Sequence, residues 1–597
     1  MTDPKDSSKD ERGGLYLLRR FWVYVRDHRR WLLLGLLMIP VVAGMTVVRP
    51  LLLKHAVDVD IPARDVHTLR VTALLFLLAV VLEFISQAVQ VYALQRVGHV
   101  TINDLRRAVF RHVLRLPARF FDKNPLGALL ARSTTDIEAL SETLAFGVFT
   151  ILTDVVMILV VLGAMFYLDA RLTLISLAVA PLIWILVRVF SARLRALQLE
   201  VRKAQAVQGG YLTEQLAGAT VLQLFGRQRA AVAEFERLGG RYLRTTKTAN
   251  IYDALLFSLI DGISALCIAL LIYFGAPGVV DGSGLTLGLL FAFIDYLQRV
   301  FVPIREFSGK LATVQRALAA LDRVYGLLDE PAEPRLPEGA PDPLHTWTGG
   351  LRVRGLRFRY RQDGPEILKG IDLDVAPGEV VAVVGRTGSG KTSLGRVLTR
   401  AYDGYQGSVQ LTCPDGQTHE LSTLSPDALR RHALLVQQDI FLFAEDVAFN
   451  VALGEPELSG DPEALRAALR AVQAEALVDE RGGLEFQVGE RGRALSAGEA
   501  QLLAFARVAA RAPTFLILDE ATASVDSVTE HKVQRAIEAL LRGRSVLVIA
   551  HRLSTVRRAD KILVMDAGQI IEQGTHDQLL ARGGAYAQLY RMGLDAA

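Results

Sequence analysis

Before about residue 310 the sequence holds six long apolar runs, near 31–53, 69–95, 143–168, 172–192, 251–276 and 284–304. A helix needs about 20 apolar residues to cross the hydrocarbon of a bilayer. Backbone N–H and C=O groups find no water there, so each run is expected as a spanning helix. The composition agrees: hydrophobic residues make up 51% and charged residues 22%, and the mean hydropathy is +0.29. A net charge of +4 is small for 597 residues and argues against nucleic acid as a partner. Cys267 and Cys413 fall in different halves, which excludes a disulfide framework and a thiolate metal site.

The loops set the orientation. Arg106, Arg107, Arg111, Arg115, Arg119, Lys123 and Arg132 lie between the second and third runs, and a second arginine-rich connection lies between the fourth and fifth. Positive charge stays on the cytoplasmic side, so both termini and both long connections are expected in the cytoplasm of a plasma-membrane protein. Those connections keep a helical period, so spans two to five should continue as helices beyond the bilayer. Residues 1–14 are polar and charged, read as a disordered tail, and no secretory leader opens the sequence. The stretch LYLLRRFWVYVRDHRRW reads either as an interfacial helix or as the basic flank of the first span. Glu83, Gln87, Asp154, Asp261, Asp295 and Arg299 interrupt the apolar runs. Such residues face a cavity or pair with one another. Asp261 and Asp295 are the best cavity candidates and favour cationic or zwitterionic cargo.

A change of character follows. A spanning domain over 15–325 gives way to a Pro- and Gly-rich linker over 326–347, then to short apolar strands alternating with helices over 348–597. The expected fold is a membrane protein: an all-α six-helix transmembrane domain with long cytoplasmic helical extensions, then an α/β P-loop ATPase domain with a helical subdomain.

Between a buried strand and a helix stands Gly385-Arg386-Thr387-Gly388-Ser389-Gly390-Lys391-Thr392, followed by Ser393. This is GxxxxGK[ST] in its required context. The glycines let backbone N–H groups wrap phosphates, Lys391 reaches the outer phosphates, and Thr392 is a Mg²⁺ ligand. The run FLILDE ends on Asp519 and Glu520. Asp519 is placed to hold the metal's water shell and Glu520 to polarise an attacking water.

In carrying these motifs, the sequence resembles the ABC transporters, specifically the exporter half-transporters. The resemblance implies that Tyr360 stacks on adenine and that Gln438 touches the metal. It also implies that Glu490 senses the cytoplasmic helices, that Asp526 lies at a dimer interface, and that His551 is the switch residue at the γ-phosphate. RLPARFFDKNPLGALLARSTTDIEAL resembles the first coupling segment, and YLTEQLAGATVLQLFGRQ, with Glu214 and Phe225, resembles the second.

In this family LSAGEAQ stands where LSGGQ is usual, a turn that meets the γ-phosphate of ATP held by a second nucleotide-binding domain. Ser496 and Gly498 are retained, Ala497 adds a methyl, and Glu499 brings a carboxylate. A free carboxylate there would repel a phosphate by roughly 2–4 kcal/mol at an effective dielectric near 20. The implied assembly is therefore one subunit of a heterodimeric exporter with one weak site; a homodimer that tolerates LSAGE is the alternative. The expected activity is ATP-driven export of amphipathic drugs, peptides or lipids. A homodimeric lipid flippase and a non-pumping, channel-like subunit are its rivals.

Overall fold

The computed structural model describes residues 14–143, 147–281, 285–337, 339–519, 527–550 and 553–591. All but one residue of the polar tail thus lies outside the described residues. The chain divides into two compact units: Met1–Leu114 with Leu126–Glu330, and Arg115–Pro125 with Pro331–Ala597.

The first unit contains six helices long and apolar enough to cross a membrane: Tyr16–Ala63, Val66–Val113, Phe149–Leu168, Ala170–Ala217, Gln228–Val280 and Leu287–Leu328. Each expected apolar run lies on one of them. Short polar side chains start several. Asp65 accepts the His67 N–H at 2.9 Å, Asp169 accepts the Leu172 N–H at 2.9 Å, and Thr286 accepts the Leu289 N–H at 3.2 Å. Each such cap satisfies a donor that has no partner within its own helix. Leu74, Phe84, Leu159 and Trp184 are exposed, as lipid-facing residues should be. Ahead of the first span, helix Gly14–Val25 buries Leu17, Phe21 and Val25 and exposes Leu18 and Trp22. That one-in-four burial makes it an amphipathic helix, favouring the interfacial reading over a plain basic flank.

Two details depart from expectation. The third span begins at Phe149, and the chain before it is broken into the short helices Leu126–Ser133 and Thr135–Thr143. The sixth runs unbroken through Pro303 for 42 residues, well past the end of the apolar run near 304. A proline removes one backbone donor and kinks a helix, yet neighbouring helices can hold such a helix together. Fully buried Met165, Cys267, Leu271, Phe293 and Tyr296 form the core between spans. The Tyr296 hydroxyl donates to the Val47 carbonyl at 2.8 Å, satisfying a polar atom that lipid could not.

The second unit is built on two sheets. The antiparallel sheet has the order β2-β1-β4-β5, with β1 Gly350–Phe358, β2 Leu368–Val375, β4 Gln406–Thr412 and β5 Thr418–Glu420. The larger sheet has the order β10-β9-β3-β8-β7-β6. Its strands are β3 Val380–Val384, β6 Ala433–Val436, β7 Phe515–Asp519, β8 Ser545–Ile549, β9 Lys561–Asp566 and β10 Gln569–Gly574. All its pairings are parallel except that of β9 with β10. Strands β3, β7 and β8 are mostly Val, Ile and Leu because a parallel sheet is covered on both faces. A helical subdomain adds its own apolar residues, among them Leu465, Leu469, Val472 and Leu502.

The expected linker does not stay free to its end. Leu344 and Trp347 are buried in the core of the second unit, and the Trp347 indole donates to the Gly350 carbonyl at 2.9 Å. Burying a leucine and a tryptophan outweighs the chain entropy that the Pro- and Gly-rich composition offers. Arg115–Pro125, the start of the first expected coupling segment, also belongs to this unit. Its helix Ala118–Lys123 packs Ala118 on the core, and the Arg115 carbonyl accepts the Glu333 N–H at 2.8 Å.

Candidate nucleotide site

The phosphate loop leaves the carboxyl end of β3, a strand with parallel neighbours on both sides. Ligands bind in open α/β sheets at such strand ends. Gly385 is required by space, since a Cβ there would strike the Met565 carbonyl. Gly388 is required by conformation, with φ +85° and an open side where a ligand can approach. Arg386 and Thr387 are exposed on the same loop. Gly390 precedes the helix Lys391–Leu398, whose N-terminus adds a favourable dipole for an anion.

Lys391 is only 6% exposed. Its ammonium donates to the Gly385 carbonyl at 2.5 Å and to the Arg386 carbonyl at 3.2 Å. Burial lowers its pKa, and the Asp519 carboxylate partly opposes that. A buried cation held by two neutral carbonyls is under-compensated, which favours an incoming anion. Beside it the Ser389 hydroxyl is buried with no hydrogen-bond partner among the described residues. An orphaned donor in this loop fits a phosphate oxygen.

Thr392 is exposed on the first turn of that helix, while Asp519 is buried at the end of β7. Asp519 and Gln438 line one cleft with Gln501 and Phe505. The structure thus brings Gln438 and Asp519 together. Their oxygens and the Thr392 hydroxyl are the hard donors that Mg²⁺ prefers when most of its shell comes from water and phosphate. No group of three or more His, Cys, Asp or Glu capable of holding a metal occurs among the described residues. Glu520, Asp526 and His551 lie outside the described residues. The described residues stop just short of two of them, at Asp519 and Ala550, and β8 ends at Ile549, paired in register with Asp519.

Tyr360 is half-exposed, with its ring edge-on to Tyr402 and its hydroxyl 2.9 Å from the Ser393 hydroxyl. The ring expected to stack on adenine is thereby tied to the phosphate-loop helix. Tyr402 escaped the sequence reading because a lone tyrosine after a helix carries no motif. Glu490 is exposed in the turn Glu490–Gly492, 3.8 Å from Arg493. Phe225 is exposed after the short helix Ala219–Leu224 that follows Glu214.

The signature stretch begins the helix Ala497–Arg511. Ser496 caps it, its hydroxyl accepting the Glu499 N–H at 3.3 Å, and Glu499 Oε2 accepts the Ser496 N–H at 2.7 Å. This reciprocal capping box is one that either Glu or Gln completes. Gly498 is buried behind the turn, while Ser496 and Ala497 face outward. Arg481 Nη2 also donates to both Glu499 oxygens, at 2.9 and 3.0 Å. Burial pushes the Glu499 carboxyl up, but the Ser496 amide and the Arg481 guanidinium outweigh it and hold the pKa below the ordinary range. The expected free carboxylate is therefore engaged in two directions.

The match to known proteins is extensive. The description "ABC transporter transmembrane region" matches residues 32–304, and "ABC transporter" matches residues 368–523. The chain is 35% identical over 584 residues to an ATP-dependent lipid A-core flippase of Thiobacillus denitrificans, covering 97% of this chain and 98% of that one. The chain belongs to the ABC transporter family. It is an exporter half-transporter, a transmembrane region fused to an ATPase domain that powers transport. It is also 35% identical over 506 residues to a probable multidrug resistance ABC transporter ATP-binding/permease protein of Bacillus subtilis, covering 84% and 74%. A solved bacterial Atm1-family ABC exporter with ATP bound superimposes with a TM-score of 0.76 at 26% identity, covering 94% and 98%.

Within the half-transporter's first unit the intramembrane acids are paired. Glu83 accepts from Arg49 at 2.9 Å and lies 3.8 Å from Arg299, which also meets Asp295 at 2.8 Å. Asp261 meets Arg305 at 3.1 Å and Asp154 meets Lys310 at 2.6 Å. Gln87 is exposed. The acids expected to attract cations are thus charge-compensated. Glu83 is the hub of its network, and its side chain is 15% exposed. Replacing Glu83 by Gln strands Arg49, takes from Arg299 one of its two carboxylates, and should destabilise the exporter by about 3 kcal/mol. A lowered thermal unfolding midpoint in detergent would show it, whereas an unchanged midpoint would mean the pairs contribute nothing.

Proposed function

We propose that this half-transporter exports amphipathic, lipid-like or drug-like molecules across the plasma membrane, not selecting them by positive charge. Its nucleotide-binding domain and both termini face the cytoplasm, an orientation that the positively charged long connections favour. ATP joins two nucleotide-binding domains and hydrolysis resets them. Tyr360 orients the base, the loop Gly385–Gly390 and Lys391 hold the phosphates, and Ser393 supports Tyr360. Thr392, Gln438 and Asp519 would hold Mg²⁺, which supplies charge neutralisation on the phosphates. Glu520 orients the attacking water and His551 contacts the γ-phosphate.

One observation carries the cargo reading: the carboxylates Glu83, Asp154, Asp261 and Asp295 each face an arginine or lysine. Relatives named as a lipid A-core flippase and as a multidrug transporter are compatible with such a balanced surface. The test is transport by proteoliposomes carrying Asp261→Asn and Asp295→Asn together. Cationic and neutral amphiphiles should be affected alike. Loss of cationic dye transport alone would contradict the reading.

The heterodimer expected from LSAGEAQ rested on a free charge at Glu499. With that carboxylate held by the Ser496 amide and by Arg481, two equivalent sites in a homodimer are favoured instead. Subunit stoichiometry after gentle extraction from the host membrane tests this. A complex of like chains is expected, and a stoichiometric second half-transporter would contradict it.

A further inference from the structure

We propose that Arg481 is a charge-compensating residue of the ATP site: it cancels Glu499 so that the LSAGE turn presents its hydroxyl and amides to phosphate with no net repulsion. The inference rests on the reading that this turn completes an ATP site held by a second nucleotide-binding domain.

Three observations carry it. Glu and Gln complete the capping box equally well, because each offers a side-chain oxygen to the Ser496 N–H at N3. The cap therefore needs no charge and no arginine, and Glu499 differs from the usual glutamine by its charge alone. Arg481 supplies one opposite charge, bonded to both carboxylate oxygens at 2.9 and 3.0 Å. Finally, Arg481 is fixed independently of Glu499. Its Nη1 donates to the Ala494 carbonyl at 2.8 Å, and its guanidinium lies 5.7 Å from the Phe486 ring centre. The side chains of the pair are 34% and 16% exposed, so water screens the pair only in part. Arg481 comes from the end of the helix Glu475–Glu480, and no motif links it to the signature.

Charge compensation fixes an order of affinities. Relative to the wild type, Arg481→Gln leaves one extra negative charge at the turn, Glu499→Gln leaves one extra positive charge, and the double variant leaves none. The full-length exporter in nanodiscs, assayed for ATPase at low salt, should show KM for ATP raised about tenfold in Arg481→Gln and lowered about threefold in Glu499→Gln. The double variant should return to within about threefold of the wild type, and the spread should shrink as salt rises. A double variant as impaired as Arg481→Gln would make Arg481 merely structural and overturn the proposal, as would an unchanged KM in both single variants. Glu499→Gln keeps the cap, so its predicted gain holds the proposal to account even if Arg481→Gln fails to fold. Ala497→Glu separates contact of the turn with phosphate from charge compensation by Arg481. It places a carboxylate on the exposed face at a helix start that tolerates acids, and should cost about tenfold in KM. If Ala497→Glu is silent, the turn does not meet phosphate and the underlying reading fails. If it is costly while the double variant stays as impaired as Arg481→Gln, only the compensation fails.

Discussion

Replacing Lys391 by alanine should lower ATP turnover by about a hundredfold or more, chiefly through lost nucleotide binding, equivalent to about 2.7 kcal/mol. The ammonium is buried and its described partners are two neutral carbonyls, so its charge is available to an entering phosphate. A charge-assisted contact in such a setting is among the stronger ones. Equilibrium binding of a fluorescent ATP analogue separates affinity from chemistry, and a variant that binds ATP normally would contradict the assignment. A pH consequence follows with a definite sign. Burial lowers the Lys391 pKa, so its charge is lost at lower pH than that of a surface lysine. Wild-type affinity for ATP should therefore weaken early on the alkaline side, and this slope should vanish in Lys391→Ala.

Glu520→Gln should behave oppositely, binding ATP normally while turnover falls by about a hundredfold or more. Gln keeps the size and hydrogen bonding of the side chain but cannot polarise water as a carboxylate does. The variant should accumulate with ATP trapped between its nucleotide-binding domains, visible as slow release of bound nucleotide. Normal steady-state turnover would assign the chemistry elsewhere. Together the two variants should divide the site, Lys391→Ala failing at entry of the nucleotide and Glu520→Gln at its hydrolysis.

Much of this was legible in the residues. Six apolar runs predict six spans because lipid leaves a backbone few alternatives, and the phosphate loop is contiguous, so its glycines and Lys391 announce themselves by spacing. What stayed hidden arises from contacts between distant positions. Arg481 precedes Glu499 by eighteen residues, and only the folded helical subdomain brings them together. The pairing of Asp154 with Lys310, 156 positions apart, is equally invisible to periodicity, which is why paired acids looked like cavity acids. Trp347 and Leu344 looked like linker because composition reports chain flexibility, whereas burial depends on the sheet they meet. The unbroken sixth helix escaped for a related reason: Pro303 weakens a helix locally, and packing around it decides the outcome.

The most direct test of the whole account is ATP-dependent movement of a fluorescent amphipathic lipid in proteoliposomes with outward-facing nucleotide-binding domains, comparing wild type with Glu520→Gln. The account predicts time-dependent accumulation in the lumen for the wild type, with ATPase stimulated by the same lipid, and neither effect in the variant. Brisk ATP hydrolysis with no movement of this lipid or of amphipathic dyes would contradict it.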